Sequence, residues 1–148
     1  MSTISEFLIH EHHHCDDLFA TAEDDAAQKN WGKAEEDFRR FRQSTETHFE
    51  VEEKILFPAF ENATGMTMGP TQVMRMEHAQ MRDVFLQMAD AIANKDADEY
   101  LGLSETLLML MQQHNLKEEQ ILYRMADQVL ANASDALIGD MKALAAGA

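Results

Sequence analysis

The sequence predicts an all-α protein, an up-down-up-down four-helix bundle with a short C-terminal helix. Three observations carry this. Apolar residues recur at helical spacing almost throughout, and no window sustains the alternation of a strand. Only 6 Gly and 2 Pro occur in 148 residues, so long stretches run without a helix breaker. The connections between helical stretches are short, which sets neighbouring helices antiparallel. The length suits one core. Residues 1–148 therefore read as a single domain, with the bundle from about Thr3 to Leu130 and the last helix from about Ser134 to Leu144.

The first helix is expected from about Ser2 to Gln28, with Leu8, His12, Cys15, Phe19 and Ala22 on one face. The second runs from about Asn30, read as its N-cap, to Ala63, with Phe41, Thr45, His48, Glu52 and Ile55 as its stripe. Pro58 removes a backbone donor and should bend this helix near its C-terminal end. The segment GMTMGP ending at Pro70 is the clearest break, and Pro70 suits the first turn of the third helix. That helix extends to about Lys95, with Met74, His78, Met81, Phe85, Met88 and Ile92 on one face. The fourth, from about Asp96 to Leu130, carries Leu107, Met111, His114, Glu118, Ile121 and Met125. Ser134 is read as the cap of the last helix.

A net charge of −15 with no basic run excludes nucleic acid and an anionic membrane surface as partners. No apolar run reaches the length of a membrane span, and no leader pattern opens the chain, so a cytoplasmic location is expected. The single cysteine, Cys15, excludes an internal disulfide and a multi-cysteine zinc site, and fits a reducing compartment.

Polar residues interrupt all four apolar stripes: His12, His48 with Glu52, His78, and His114 with Glu118. In an up-down arrangement they lie at one depth, roughly 12–18 Å from one end of the bundle at about 1.5 Å per residue. Buried imidazoles and carboxylates cost several kcal/mol unless paired or bound to metal. Imidazole with carboxylate suits iron, manganese or zinc. His48 and Glu52, like His114 and Glu118, are four apart and share a helix face.

The sequences around these residues carry a resemblance. HFEVEEKILFP from His48 to Pro58 and HNLKEEQILY from His114 to Tyr123 resemble the two HxxxE segments of the haemerythrin-like, or HHE cation-binding, family. EHHHCDDLF from Glu11 and MEHAQMR from Met76 are similar to its first- and third-helix segments. The resemblance implies a non-haem di-iron centre with His12 and His48 on one iron and His78 and His114 on the other. Glu52 and Glu118 would bridge them, with an oxo or hydroxo group as a further bridge. Where the oxygen carriers of this family have a histidine one turn before His78, this chain has Met74. Water, Glu77 or Glu119 would then fill the gap at the second iron, or the site would be looser. The carriers also use an aspartate five residues after the last histidine, where this chain has Glu118 four after His114.

The implied activity is binding or sensing of O2, NO or redox state. The alternatives are a di-iron enzyme or iron donor, acting in peroxide or NO reduction or iron-sulfur repair, and metal storage. A small diatomic ligand is the expected partner. His10, His13 and His14 read as surface residues, although His10, His14 and Asp17 share a face that could clip a surface cation. Cys15 reads as a small core residue, with a reactive thiol beside the site as the alternative. The methionines, including Met66, Met68, Met74 and Met76, read as filler rather than a Cu(I) site. A ferritin-like centre is disfavoured, because the one ExxH here ends on the outward-facing His14.

Overall fold

In the computed structural model, which describes residues 2–147, five helical rods follow one another and no strand occurs among the described residues. The first, α1 (Ile4–Ala27), starts at Thr3, whose hydroxyl accepts the Glu6 N–H. The second rod is α2 (Trp31–Val51), a π turn (Glu52–Leu56) and α3 (Phe57–Thr64), with no break in helical backbone. It closes on Gly65, in the left-handed conformation at φ 73°, whose N–H reaches Glu61 O at 2.8 Å. The third is α4 (Pro70–Ala93), with Pro70 in its first turn as expected. The fourth is α5 (Ala97–Lys117), capped by Asp96, then a second π turn (Glu118–Leu122) and α6 (Tyr123–Val129). A short 3-10 turn (Ala131–Ala133) leads to α7 (Ser134–Ala146).

The long rods pack in a cycle: α1 against α2, α2 against α4, α4 against α5, and α5 against α1. The first turn of α1 is tied to α6, where Ser5 N–H and Oγ donate to Asp127 at 3.1 and 2.5 Å. Arg82 of α4 reaches Glu46 of α2 and Glu53 of the first π turn. Two apolar clusters result. One is built on Phe19, Phe38, Phe41, Phe85, Met88 and Tyr100. The other contains Ile4, Leu8, Phe57, Phe60, Met74 and Tyr123, with Ile138 and Met141 of α7 packed into it. The last helix thus covers the end of the second cluster, against α1 and α2.

Several expectations need correction. Asn30 occupies the N-cap position of α2, but its side chain makes no capping bond. Ser134 is the first helical residue of α7, not its cap. Ahead of Pro58, where only a bend is expected, a π turn begins at Glu52, and its twin at Glu118 has no proline after it, so the π turn does not need one. Each π turn inserts one residue and advances the phase of the following helix by about 100°. The expected stripe therefore fails beyond it. Ile121 is 55% exposed while Leu122 and Tyr123 are buried, and Met125 gives way to Ala126. Ile55 likewise yields to the fully buried Leu56.

Phe41 is fully buried and meets the rings of Phe19, Phe38 and Phe85 at 5.4–6.1 Å between centroids. Phe41→Ala should cost roughly 3–5 kcal/mol in chemical denaturation. Gly65→Ala should cost about 1–2 kcal/mol, because nothing crowds the added Cβ and only the left-handed backbone resists it.

Candidate metal centre

The two π turns begin at Glu52 and Glu118, the two carboxylates singled out in the sequence. Upstream, ordinary helix keeps His48 one turn from Glu52 and His114 one turn from Glu118. Downstream, the N–H of Phe57 bonds to Glu52 O and that of Tyr123 to Glu118 O, five residues back. The aromatic at the fifth position turns towards the layer: the Tyr123 hydroxyl lies 3.0 Å from Glu118 Oε1, and the Phe57 ring lies 5.8 Å from that of His78.

All six residues, His12, His48, Glu52, His78, His114 and Glu118, are at most 4% exposed. They form two groups, each with ligand atoms within 4.8 Å of one another. One is His12, His48, Glu52 and Glu118; the other is Glu52, His78, His114 and Glu118. The two carboxylates belong to both. The rings of His12 and His48 lie 4.7 Å apart, and those of His78 and His114 4.9 Å apart. Phe49 stacks on His78 at 3.9 Å, sealing that side.

Each imidazole is fixed from behind by a second carboxylate. Nδ1 of His12 pairs with Glu119 at 2.8 Å, of His48 with Glu11 at 2.8 Å, of His78 with Glu53 at 2.7 Å and of His114 with Glu77 at 2.9 Å. These bonds point every Nε2 inward, the arrangement that orients histidine towards a metal. Glu77 and Glu119, expected as replacement ligands beside Met74, are therefore on the outer faces of His114 and His12. Each adjoins a layer residue in sequence, so its side chain falls beside the layer. Met74 is buried in the apolar cluster, as is Leu8, which holds the same position relative to His12.

Sequence reading missed this outer ring of carboxylates, although the Glu-His pairs at Glu11 and Glu77 and the Glu-Glu pairs at Glu52 and Glu118 were visible. It also missed the place of Tyr123. The phenol lies 2.6 Å from Glu52 Oε2, 3.0 Å from Glu118 Oε1, 3.1 Å from His12 Nε2 and 3.5 Å from His48 Nε2. Phe57 takes the matching place beside His78. The surface histidines are exposed as expected, and His10, His14 and Asp17 are not gathered into a ligand group among the described residues. Cys15 is buried against Ser44 Oγ at 3.6 Å, and burial pushes its thiol up, which suits a packing residue.

Without a cation the layer manages its charge with protons. Burial raises Glu52, and the neighbouring charge of Glu118 raises it further. Burial alone would lower His12 and His78, but the carboxylates around them more than offset it. Glu118 and Glu119 bring His12 to about 10, and Glu52 and Glu53 bring His78 to about 9. Glu53 falls to about 2: burial opposes this, but His78 and Arg82 outweigh it.

A histidine raised on folding stabilises the fold fully below its unfolded value near 6.5, and that contribution disappears as pH rises through the folded value. The metal-free protein should therefore lose thermal stability as pH climbs from about 7 through about 9, for His78, and about 10, for His12. Melts followed by circular dichroism across this range test it. A midpoint that rises over the same window would contradict the assignment.

No curated protein and no solved structure matches this chain. The family description "Hemerythrin HHE cation binding domain" matches residues 3–126, most of the sequence, and takes in all six residues of the layer. The chain belongs to the haemerythrin HHE cation-binding domain family.

Proposed function

We propose that the layer holds two non-haem irons at one level of a single-domain up-down-up-down four-helix bundle, and that the pair binds or senses O2, NO or redox state. His12 and His48 serve one iron, and His78 and His114 the other. Glu52 and Glu118 serve both. The observation that carries this reading is the set of buried atoms without a hydrogen-bond partner. Of the eight such atoms among the described residues, four are His78 Nε2, His114 Nε2, Glu52 Oε1 and Glu118 Oε2, all in this layer. His78 Nε2 lies 3.2 Å from Glu52 Oε1 and His114 Nε2 3.2 Å from Glu118 Oε1 without forming a good hydrogen bond. Such atoms are costly to leave unpaired in a protein interior, and a cation between them satisfies all four.

Bound iron supplies reversible one-electron chemistry and open positions for a small ligand. The chain's own residues do the rest. Glu11, Glu53, Glu77 and Glu119 hold the imidazoles in one tautomer. Arg82 clamps Glu53, and Lys117 bonds Glu77, so both outer carboxylates of the His78–His114 half are held by cations. Phe49, Phe57 and Met74 keep water from that half. A groove of about 440 Å³, with Glu119 and Leu116 in its wall, runs beside the layer, and none of the six layer residues lines it. Six residues buried to this degree favour a diatomic ligand over an organic substrate.

Anaerobic titration with Fe2+ should give two irons per chain, and the thermal midpoint should rise on loading. His48→Ala and His114→Ala should each lose one iron, while His13→Ala keeps both. Full occupancy in both core variants, or a midpoint that ignores iron, contradicts the assignment. Mixing the ferrous protein with O2 or NO in a stopped-flow spectrometer then separates a lasting adduct from turnover.

A further inference from the structure

The two halves of the layer match closely. A Glu-His pair on α1, Glu11 and His12, answers one on α4, Glu77 and His78. His48 with Glu52 and Glu53 answers His114 with Glu118 and Glu119. Each inner carboxylate opens a π turn, and each π turn delivers an aromatic five residues on. The match fails at that aromatic: Phe57 stands at one half and Tyr123 at the other.

The difference changes what the half-sites can offer. Phe57 stacks near His78, with 5.8 Å between centroids, and brings no donor. Tyr123 is fully buried, and its hydroxyl lies within 3.5 Å of an atom from each of His12, His48, Glu52 and Glu118. Those four residues are the complete group of the first half-site. A cation held there takes the donor atoms that now surround the hydroxyl. A fully buried phenol deprived of its partners is costly, and the cation itself is the nearest replacement. Phenolate oxygen is a hard anionic donor, well matched to ferric iron.

We propose that Tyr123 is a ligand of the metal held by His12 and His48, which makes the two metal positions chemically distinct. The inference rests on the di-iron reading above. When the metal binds, the Tyr123 O–H bond breaks and an O–metal bond forms from the oxygen's own electron pair. The proton, held in hydrogen bond to Glu52 in the metal-free protein, goes to solvent with the others that the cation displaces. No electron moves in this step. The His78–His114 half, with Phe57 in place of a fifth donor, is left the more open to exogenous ligands.

The chain contains 2 tyrosines, which makes the test decisive. Tyr100 sits in the other apolar cluster. The full chain is loaded anaerobically with Fe2+, counted for metal and oxidised in air. The ferric protein should show a visible phenolate-to-iron charge-transfer band. Excitation into that band should enhance tyrosine ring modes, which shift when the protein is grown on ring-deuterated tyrosine. Band and modes should persist in Tyr100→Phe and vanish in Tyr123→Phe. Two bound irons without tyrosine modes in the wild type would overturn the proposal and leave the di-iron reading standing. So would a band that survives Tyr123→Phe. The wild-type spectrum decides even if the Tyr123 variant fails to fold. A chain that takes up no iron overturns both readings, and the metal count separates that result from a failure of the tyrosine assignment alone.

Discussion

Two carboxylates, Glu52 and Glu118, face one another in the interior with no solvent exposure, and the rest of the structure is arranged around the cost of keeping them there. Like charges at this distance in a low dielectric repel strongly, and each ion also loses its hydration. In the metal-free state protons answer that cost: Glu52 is pushed up, and His12, His78 and His114 are all raised by the carboxylates around them, against the pull of burial. The Tyr123 phenol, raised by burial and by both carboxylates, stays protonated and donates to Glu52. The same groups that bind protons in the absence of metal are the groups a cation would bind, so the layer is a competition between the two. The apolar clusters on either side confine that competition to a thin slab of the interior.

The π turns are what make the slab compact. A straight α-helix presents a face at every third or fourth residue, which accommodates a histidine and a glutamate but turns the next residues away. Opening the helix at Glu52 and Glu118 lets one rod contribute a histidine, an inner carboxylate and an aromatic to the layer, and an outer carboxylate beside it. The outer carboxylate then serves the histidine of a different helix: Glu53 of the first π turn holds His78 on α4, and Glu119 of the second holds His12 on α1. The bonds that aim the imidazoles are thus also bonds between rods, so packing and site geometry depend on each other.

This explains which parts of the structure were legible in the sequence. The stripes of α1 and α4 were readable residue by residue, since Leu8, His12, Cys15, Phe19, Met74, His78, Met81 and Phe85 sit in unbroken helix and are all buried. The second and fourth rods were readable only as far as Glu52 and Glu118. Beyond them, hydrophobic spacing at 3.6 residues per turn selects Ile121, and the extra residue of the π turn selects Leu122 and Tyr123 instead. Spacing alone cannot signal that slip. The repeated EExIL after each histidine segment was the available sign that both rods do the same unusual thing. The role of the outer carboxylates was hidden for a different reason: each neighbours a layer residue in sequence, and only the partner helix shows which imidazole it holds.

Met74 takes on a different meaning once the halves are compared. Set against the oxygen carriers, it marks a histidine that is missing. Set against the other half of this chain, it corresponds to Leu8, one turn before His12, and both positions lie in the same apolar cluster. Each half therefore presents two imidazoles and a share of two carboxylates, and the histidine count creates no asymmetry. What breaks the equivalence lies on the opposite side of each carboxylate, where one π turn delivers Tyr123 and the other Phe57. A phenol beside one pair of histidines and a hydrocarbon ring beside the other give two groups with the same imidazoles but different oxygen chemistry. The groups differ accordingly: at His78 and His114 two inward nitrogens have no partner, and Phe49, Phe57 and Met74 provide only an apolar wall.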